Sequence, residues 1–177
     1  VATTNNPNDE KIVKIAKKNK VKSYRGPEHN VQKRVIDAGK KFGCESIIRI
    51  TSDCPLSDPV LIDQAAEIFE LNKCDYLSNI HKVRTYPDGM DIEIFKFSTL
   101  KKTFENAKLP SEREHVTPYM YNSKKFKCKR MEIQKNFSKY RFCIDFKKDY
   151  LLFKKIIDEF KNNVYNVSML DLIRYVN

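Results

Sequence analysis

Ile47-Ile48-Arg49-Ile50-Thr51-Ser52-Asp53-Cys54-Pro55-Leu56-Ser57-Asp58-Pro59 reads as a strand, a break and the start of a helix. Ile47 to Ile50 is a short β-branched run of the kind that fills a buried strand in an α/β sheet. Pro55 cannot donate a ladder hydrogen bond, so the strand ends before it. Asp58 is placed as an N-cap and Pro59 at the first helical position. Asp53 therefore sits just past the C-terminal end of a strand, the edge at which open α/β sheets bind their ligands. A carboxylate there is a candidate metal ligand or substrate acceptor. The plainer alternative is a loop aspartate that caps its own turn.

Outward from this stretch, strands and helices alternate. Val1 to Thr4 reads as the end of a strand whose beginning lies upstream, so the expectation is a chain lacking its N-terminal strand and loop. Asn6 caps a helix with Pro7 at its first position, and Ile12, Ile15 and Ala16 form its inner side. Val21 to Tyr24 is a second strand. Asn30 caps the next helix, whose Val31, Val35, Ala38 and Phe42 make one apolar stripe closed by Gly43. After Asp58 the inward set is Ile62, Ala65, Ala66 and Phe69. Alternation of this kind predicts a mostly parallel sheet covered on both faces, a three-layer α/β/α sandwich in one domain spanning residues 1–177.

The second half is less regular. Asp75 to Asn79 is a strand, followed by a polar connection with a Pro87-Asp88-Gly89 turn. Asp91 to Phe95 alternates Ile92 and Ile94 with Asp91 and Glu93, which predicts a half-exposed strand. Ser98 is expected to cap a helix running to Ala107, and Ser111 with Glu114 to form a capping box. Phe126 to Ile133 reads as an antiparallel strand and Arg141 to Asp145 as another. A helix with Leu152, Ile156 and Phe160 inward follows, then one from Met169 to Val176 capped by Ser168.

The 177 residues carry a net charge of +11, yet the lysines are scattered over nearly every helix. They lack the aromatic interleaving of a single-strand binder, so solvated basic faces are expected and no nucleic-acid partner. No apolar run reaches the length of a membrane span, so no membrane partner is expected either. Five scattered cysteines without metal-ligand spacing fit reduced thiols in a cytoplasm.

Asp145 repeats the arrangement of Asp53, an apolar strand ending in a carboxylate before a helix. Two such aspartates can converge at one sheet edge and hold Mg²⁺, which takes oxygen ligands and keeps waters and substrate phosphate. Asp88, Asp91 and Glu93 form an acidic group behind Arg84, whose planar fork suits a carboxylate or phosphate. His115 and Tyr119 are four apart and face the same way if their segment stays helical. No Ser-His-Asp or Cys-His assembly is visible.

These motifs, in order, resemble the spore coat polysaccharide biosynthesis (SpsF) family of cytidylyltransferases, related to the synthetases that make CMP-activated keto-deoxy sugars. The resemblance is carried by Arg49 to Leu56, Arg84 to Glu93, Ser111 to Tyr119, and Ile144-Asp145 with Asp149. Val1 to Thr4 and Tyr24-Arg25-Gly26 match in the same order. It implies a nucleotide-diphosphosugar transferase-like, Rossmann-like fold and Mg²⁺-dependent transfer of CMP from CTP to a sugar acid, with release of pyrophosphate. Asp53 and Asp145 then correspond to the family's metal-binding aspartates. His115 and Tyr119 resemble residues that face the sugar, and Arg25, Arg34, Arg84, Asp88, Asp91 and Glu93 fall in substrate-side motifs. Relatives are often homodimers. Two departures stand out: the basic, Gly-containing phosphate loop that opens the family is not in this sequence, and Asn30, Gln32 and Val35 replace acidic and aromatic residues around a retained Arg34. A GT-A-type glycosyltransferase and a basic nucleic-acid-binding module remain the alternatives; Ser52-Asp53-Cys54 lacks the second Asp of the former's metal motif.

Overall fold

The computed structural model describes residues 1–177. The chain forms two compact units, Val1–Ile47 with Phe95–Lys127 and Ile48–Ile94 with Cys128–Asn177.

In the first unit, β1 (Ala2–Thr4) pairs in parallel with β2 (Tyr24–Gly26), Thr3 opposite Arg25. The second strand thus begins at Tyr24, where the sequence placed its end. Asn6 accepts from the Asn8 amide and opens a 3-10 turn, Pro7–Asp9, that leads into α1 (Glu10–Lys18). Of the expected inner side only Ala16 is buried; Ile12 and Ile15 are 41% and 62% exposed. Two three-residue strands offer too little surface to cover the apolar side of a nine-residue helix. Asn30 caps α2 (Val31–Lys41) by accepting from the Lys33 amide, and Gly43 follows it at φ +66. Gly39 of α2 packs against the Phe97 ring, so closely that a Cβ would lie 2.8 Å from it.

The same unit holds α4 (Phe97–Asn106), α5 (Pro110–His115) and α6 (Pro118–Asn122). Ser98 is not the cap of α4: Lys96 holds the cap position, and the helix begins at Phe97, whose amide bonds Glu45 O at 2.8 Å. Nor does Ser111 pair with Glu114. Pro110 sets the first helical position, and Glu112 reaches back to accept from the Lys108 and Leu109 amides at 2.9 and 3.0 Å.

The chain passes out of the first unit within β3 (Ser46–Arg49) and back within β5 (Glu93–Lys96). With β4 (Tyr76–Ser78) and β6 (Cys128–Arg130) these strands form a sheet of order β3-β5-β4-β6. β6 runs parallel to β4, Leu77 opposite Lys129, which corrects the antiparallel expectation. The helical connection α4 to α6 precedes β6, and a long crossover of this kind, not a tight hairpin, is what parallel strands require. β5 is not half-exposed: it lies between β3 and β4, and Ile92, Glu93, Ile94 and Phe95 are all buried.

In the second unit, Asp58 caps α3 (Pro59–Asn72) through the Val60 and Leu61 amides, while its other oxygen accepts from Met169 at the start of α8 (Met169–Val176). One buried carboxylate thus ties two helix starts together. α7 (Lys147–Phe160) turns Ile156 into a core shared with Ala65, Phe69, Leu77, Ile92, Phe142 and Leu172. Ile156 and Leu172 are fully enclosed, a burial that stabilises by about 1.5–3 kcal/mol for each side chain. No helix of the chain is long and apolar enough to cross a membrane.

Candidate active site

Arg141 to Asp145 is not a ladder strand. It makes one isolated bridge, Arg141 to Asp88, because its backbone partners lie in two different loops. Asp88 N donates to Tyr140 O at 3.0 Å and Phe142 N to Asp88 O at 2.7 Å. Two residues on, Ile144 N donates to Asp53 O at 2.8 Å. These bonds bring the loop after β3, the Pro87-Asp88-Gly89 turn and the approach to α7 together. Gly89 permits it: its φ is +95, and a Cβ there would stand 2.5 Å from Phe142 C and 2.6 Å from Cys143 N.

The side chains gathered this way are acidic, with two guanidinium groups among them. Arg84 forms a fork with Asp91, at 2.5 and 2.9 Å, and lies 3.7 Å from Asp88. Arg141 donates to Asp88 at 2.5 Å, to Asp145, and to Asp149 at 3.3 Å. Hydrogen bonds to these carboxylates raise the pKa of both arginines, from Asp91 for Arg84 and from Asp145 for Arg141. Asp149 also accepts from the Asp145 and Phe146 amides, both at 3.0 Å, and these bonds hold its carboxyl below the usual range. It is Asp149, not Asp145, that closes the N-terminus of α7, which leaves Asp145 free of that duty.

Two thiols line the cluster. Cys143 Sγ is 3.3 Å from Asp88 Oδ2 and Cys54 Sγ is 3.8 Å from Asp53 Oδ1. Burial pushes their pKa values up to about 12 and about 11, so both are neutral donors at pH 7 and neither is poised as a nucleophile. No group of three or more His, Cys, Asp or Glu side chains is arranged to hold a metal ion. A cation held by Asp53 and Asp145 would therefore draw its remaining ligands from water and phosphate, the habit of Mg²⁺.

The expected acidic group of Asp88, Asp91 and Glu93 divides. Asp88 and Asp91 face the arginines described above, whereas Glu93 is buried and serves β5. It accepts from Arg49 at 2.5 Å and from the Tyr76 hydroxyl at 2.9 Å. Strand alternation sends residues 91 and 93 to the same side only while the segment is extended, and β5 begins at Glu93.

In the first unit, Arg25 and Arg34 hold backbone. Arg25 donates to Thr4 O and Asn6 O and pairs with Glu10 at 2.8 Å. Arg34 donates to Pro27 O at 2.7 Å and Glu28 O at 3.2 Å, fixing the loop before α2. His115 and Tyr119 do not share a helix face. Val116, at φ 72, ends α5, and Pro118 starts α6. His115 is exposed, while Tyr119 is half-buried with its ring edge-on to Phe126 at 6.4 Å. Gln32, fully buried, donates to Val116 O at 2.9 Å and so steadies that bend.

Arg141 is the site residue that sequence reasoning missed. Its signal was the spacing Arg141, Asp145, Asp149, which places three charged groups at intervals of four. Gly89 was read as a turn former only, and nothing in the sequence announces the backbone it lies against.

The fold has a counterpart among solved proteins. A solved cytidylyltransferase from Leptospira borgpetersenii serovar Hardjo-bovis superposes with a TM-score of 0.91 at 38% identity, over 98% of this chain and 73% of that one. An uncharacterized protein of Methanocaldococcus jannaschii, MJ1063, is 34% identical over 180 residues, covering 100% of this chain and 72% of the relative. The sequence model of the cytidylyltransferase family matches residues 1–170. The chain belongs to the cytidylyltransferase family of nucleotidyltransferases.

Proposed function

We propose that this protein transfers CMP from CTP to a sugar acid of the nonulosonic or keto-deoxy type, with Mg²⁺ and release of pyrophosphate, as an SpsF-like enzyme of surface polysaccharide biosynthesis. The observation that carries the reading is the backbone bond from Ile144 to Asp53, which joins the two segments that carry Asp53 and Asp145.

Charge supports the need for a cation. Asp88, Asp91, Asp145 and Asp149 stand against Arg84 and Arg141, so the cluster is net negative although the whole chain is +11. A triphosphate brought to such a cluster meets like charge unless a divalent cation lies between them. Asp53 and Asp145 supply hard oxygen donors that fit Mg²⁺, and when bound the ion would offset charge developing on the phosphoryl oxygens.

The chain's own residues have narrower tasks. Asp91 holds Arg84 in one orientation, so its guanidinium is presented edge-fixed to a substrate carboxylate or phosphate. Asp88 spaces the two arginines. A hydroxyl oxygen of the sugar attacks the α-phosphorus as its bond to pyrophosphate breaks, and the hydroxyl proton passes to a carboxylate of the cluster. The test is pyrophosphate release from each of the four nucleoside triphosphates with a panel of keto-deoxy and nonulosonic acids, with and without Mg²⁺. CTP-selective, Mg²⁺-dependent release with one of the sugar acids is expected. Turnover of another nucleotide, or none with any acid on the panel, would refute the assignment.

A further inference from the structure

Arg141 touches three carboxylates, and they do not depend on it equally. Asp149 is satisfied by two backbone amides, and Asp88 accepts from the Cys143 thiol and lies near Arg84. Asp145 has Arg141 as its one close partner; Cys143 Sγ reaches it only at 3.9 Å. The carboxylate of Asp145 is also about half exposed, at 47%, whereas that of Asp149 is 10% exposed. Of the three, Asp145 is the one most easily drawn away from the guanidinium.

We infer that Arg141 is a counter-charge latch: it neutralises Asp145 while no cation is bound, and a divalent cation loads by taking Asp145 from it. Arg141 stays in place through Asp88 and Asp149, which anchor opposite sides of its fork. This rests on the reading of Asp53 and Asp145 as cation ligands.

The physical case is a competition for one carboxylate. A guanidinium and a divalent cation both seek the charge of Asp145, and each repels the other at close range. Without Arg141, Asp145 and Asp149 would have no guanidinium and Asp88 only Arg84 at 3.7 Å, and repulsion among them would weaken the fold around Asp88 and Asp145. With it, the empty site is stable, at the cost of some intrinsic cation affinity. A residue that merely oriented Asp145 for the ion would act the other way, because its removal would weaken cation binding. The sign of the change separates the two roles.

The test needs no substrate. Mg²⁺ is titrated into the wild type, R141Q, R141K and D145N, and thermal unfolding is followed at each concentration, since a ligand that binds only the native state raises its melting temperature. R141Q is expected to melt below the wild type without Mg²⁺ and to bind the ion about tenfold more tightly. R141K keeps a charge but cannot bridge three carboxylates, so it should shift in the same direction by less. Should R141Q not fold, R141K decides by the same criterion. Mg²⁺ affinity unchanged or weakened in the arginine variants, beside a clear response of the wild type, overturns the latch alone. A wild type that responds to Mg²⁺ no more than D145N overturns the latch together with the aspartate reading on which it rests.

Discussion

Replacing Gly89 by Ala should disrupt the site from a position that bears no functional group. Two costs combine. The residue sits at φ +95, where an L side chain is strained by about 1–2 kcal/mol. Its Cβ would also stand 2.5 Å from Phe142 C, 2.6 Å from Cys143 N and 2.7 Å from Phe142 O, all backbone atoms that cannot rotate away. Overpacking of this kind costs about 1–3 kcal/mol, and separating the two segments weakens the 2.7 Å bond from Phe142 N to Asp88 O. The sum is about 2–5 kcal/mol, which in a domain of this size lowers Tm by about 4–20 °C. Gly43 is the internal control. It has φ +66, and nothing lies within 4 Å of its Cβ position, so Gly43→Ala should cost only the strain. Urea and thermal unfolding of both variants give the comparison, and pyrophosphate release reports whether Asp88 and Arg141 have parted. Equal destabilisation by the two substitutions would refute the idea that the close approach of residue 89 to Phe142 and Cys143 assembles the site.

Two further outcomes are expected. Asp149 has its pKa depressed in the folded protein by the Asp145 and Phe146 amides, so its contribution to stability is present above the unfolded carboxylate value, about 3.9, and is lost as pH falls through the lower folded value. Asp149→Asn should therefore flatten the acid limb of the stability curve below about pH 4, and an acid limb identical to that of the wild type would contradict the assignment. Glu93 and Arg49 form a pair with side chains 6% and 21% exposed, so Glu93→Ala should destabilise by about 3–5 kcal/mol in urea unfolding, while Arg49→Met with Glu93→Leu recovers most of it. A double variant as unstable as the single one would show that the pair is held for more than its own charge balance.

Much of this architecture was legible before any coordinates. Asp58 with Pro59, Asn30 with its apolar stripe, and Ser168 before Met169 each combine a cap with helical periodicity, and each helix begins where those signals agree. The break after β3 that precedes Asp53 was legible because the change from a β-branched run to a Pro is local. The strand expected before Asp145 does not form, and only the helix start after it was legible. The errors share a cause too. Glu93 reads as an outward residue because an acid in an alternating strand normally faces water, and only Arg49 and Tyr76, far away in sequence, make its burial tolerable. The direction of β6 depends on the path of α4 to α6, not on its own residues. Val116 at φ 72 breaks a segment that His115 and Tyr119 alone would suggest is continuous. The spacing of Arg141 from Asp145 and Asp149 was local, but its role as a hub was not legible because Asp88, its third partner, is distant in the chain.

The claim that Asp53 and Asp145 act through one Mg²⁺ is tested most directly by steady-state pyrophosphate release in Asp53→Asn, Asp145→Asn and the double variant, with melts in parallel. Each change keeps size and removes one negative ligand. Metal stabilisation of phosphoryl charge amounts to several kcal/mol, and each 1.36 kcal/mol is tenfold in rate, so either single variant should turn over CTP about 10² to 10⁴ more slowly. Because both residues serve one ion, the double variant should lose little more than the worse single one. Wild-type turnover in either single variant, with an unchanged melt, would remove that aspartate from the metal site; losses that multiply in the double variant would contradict a shared ion.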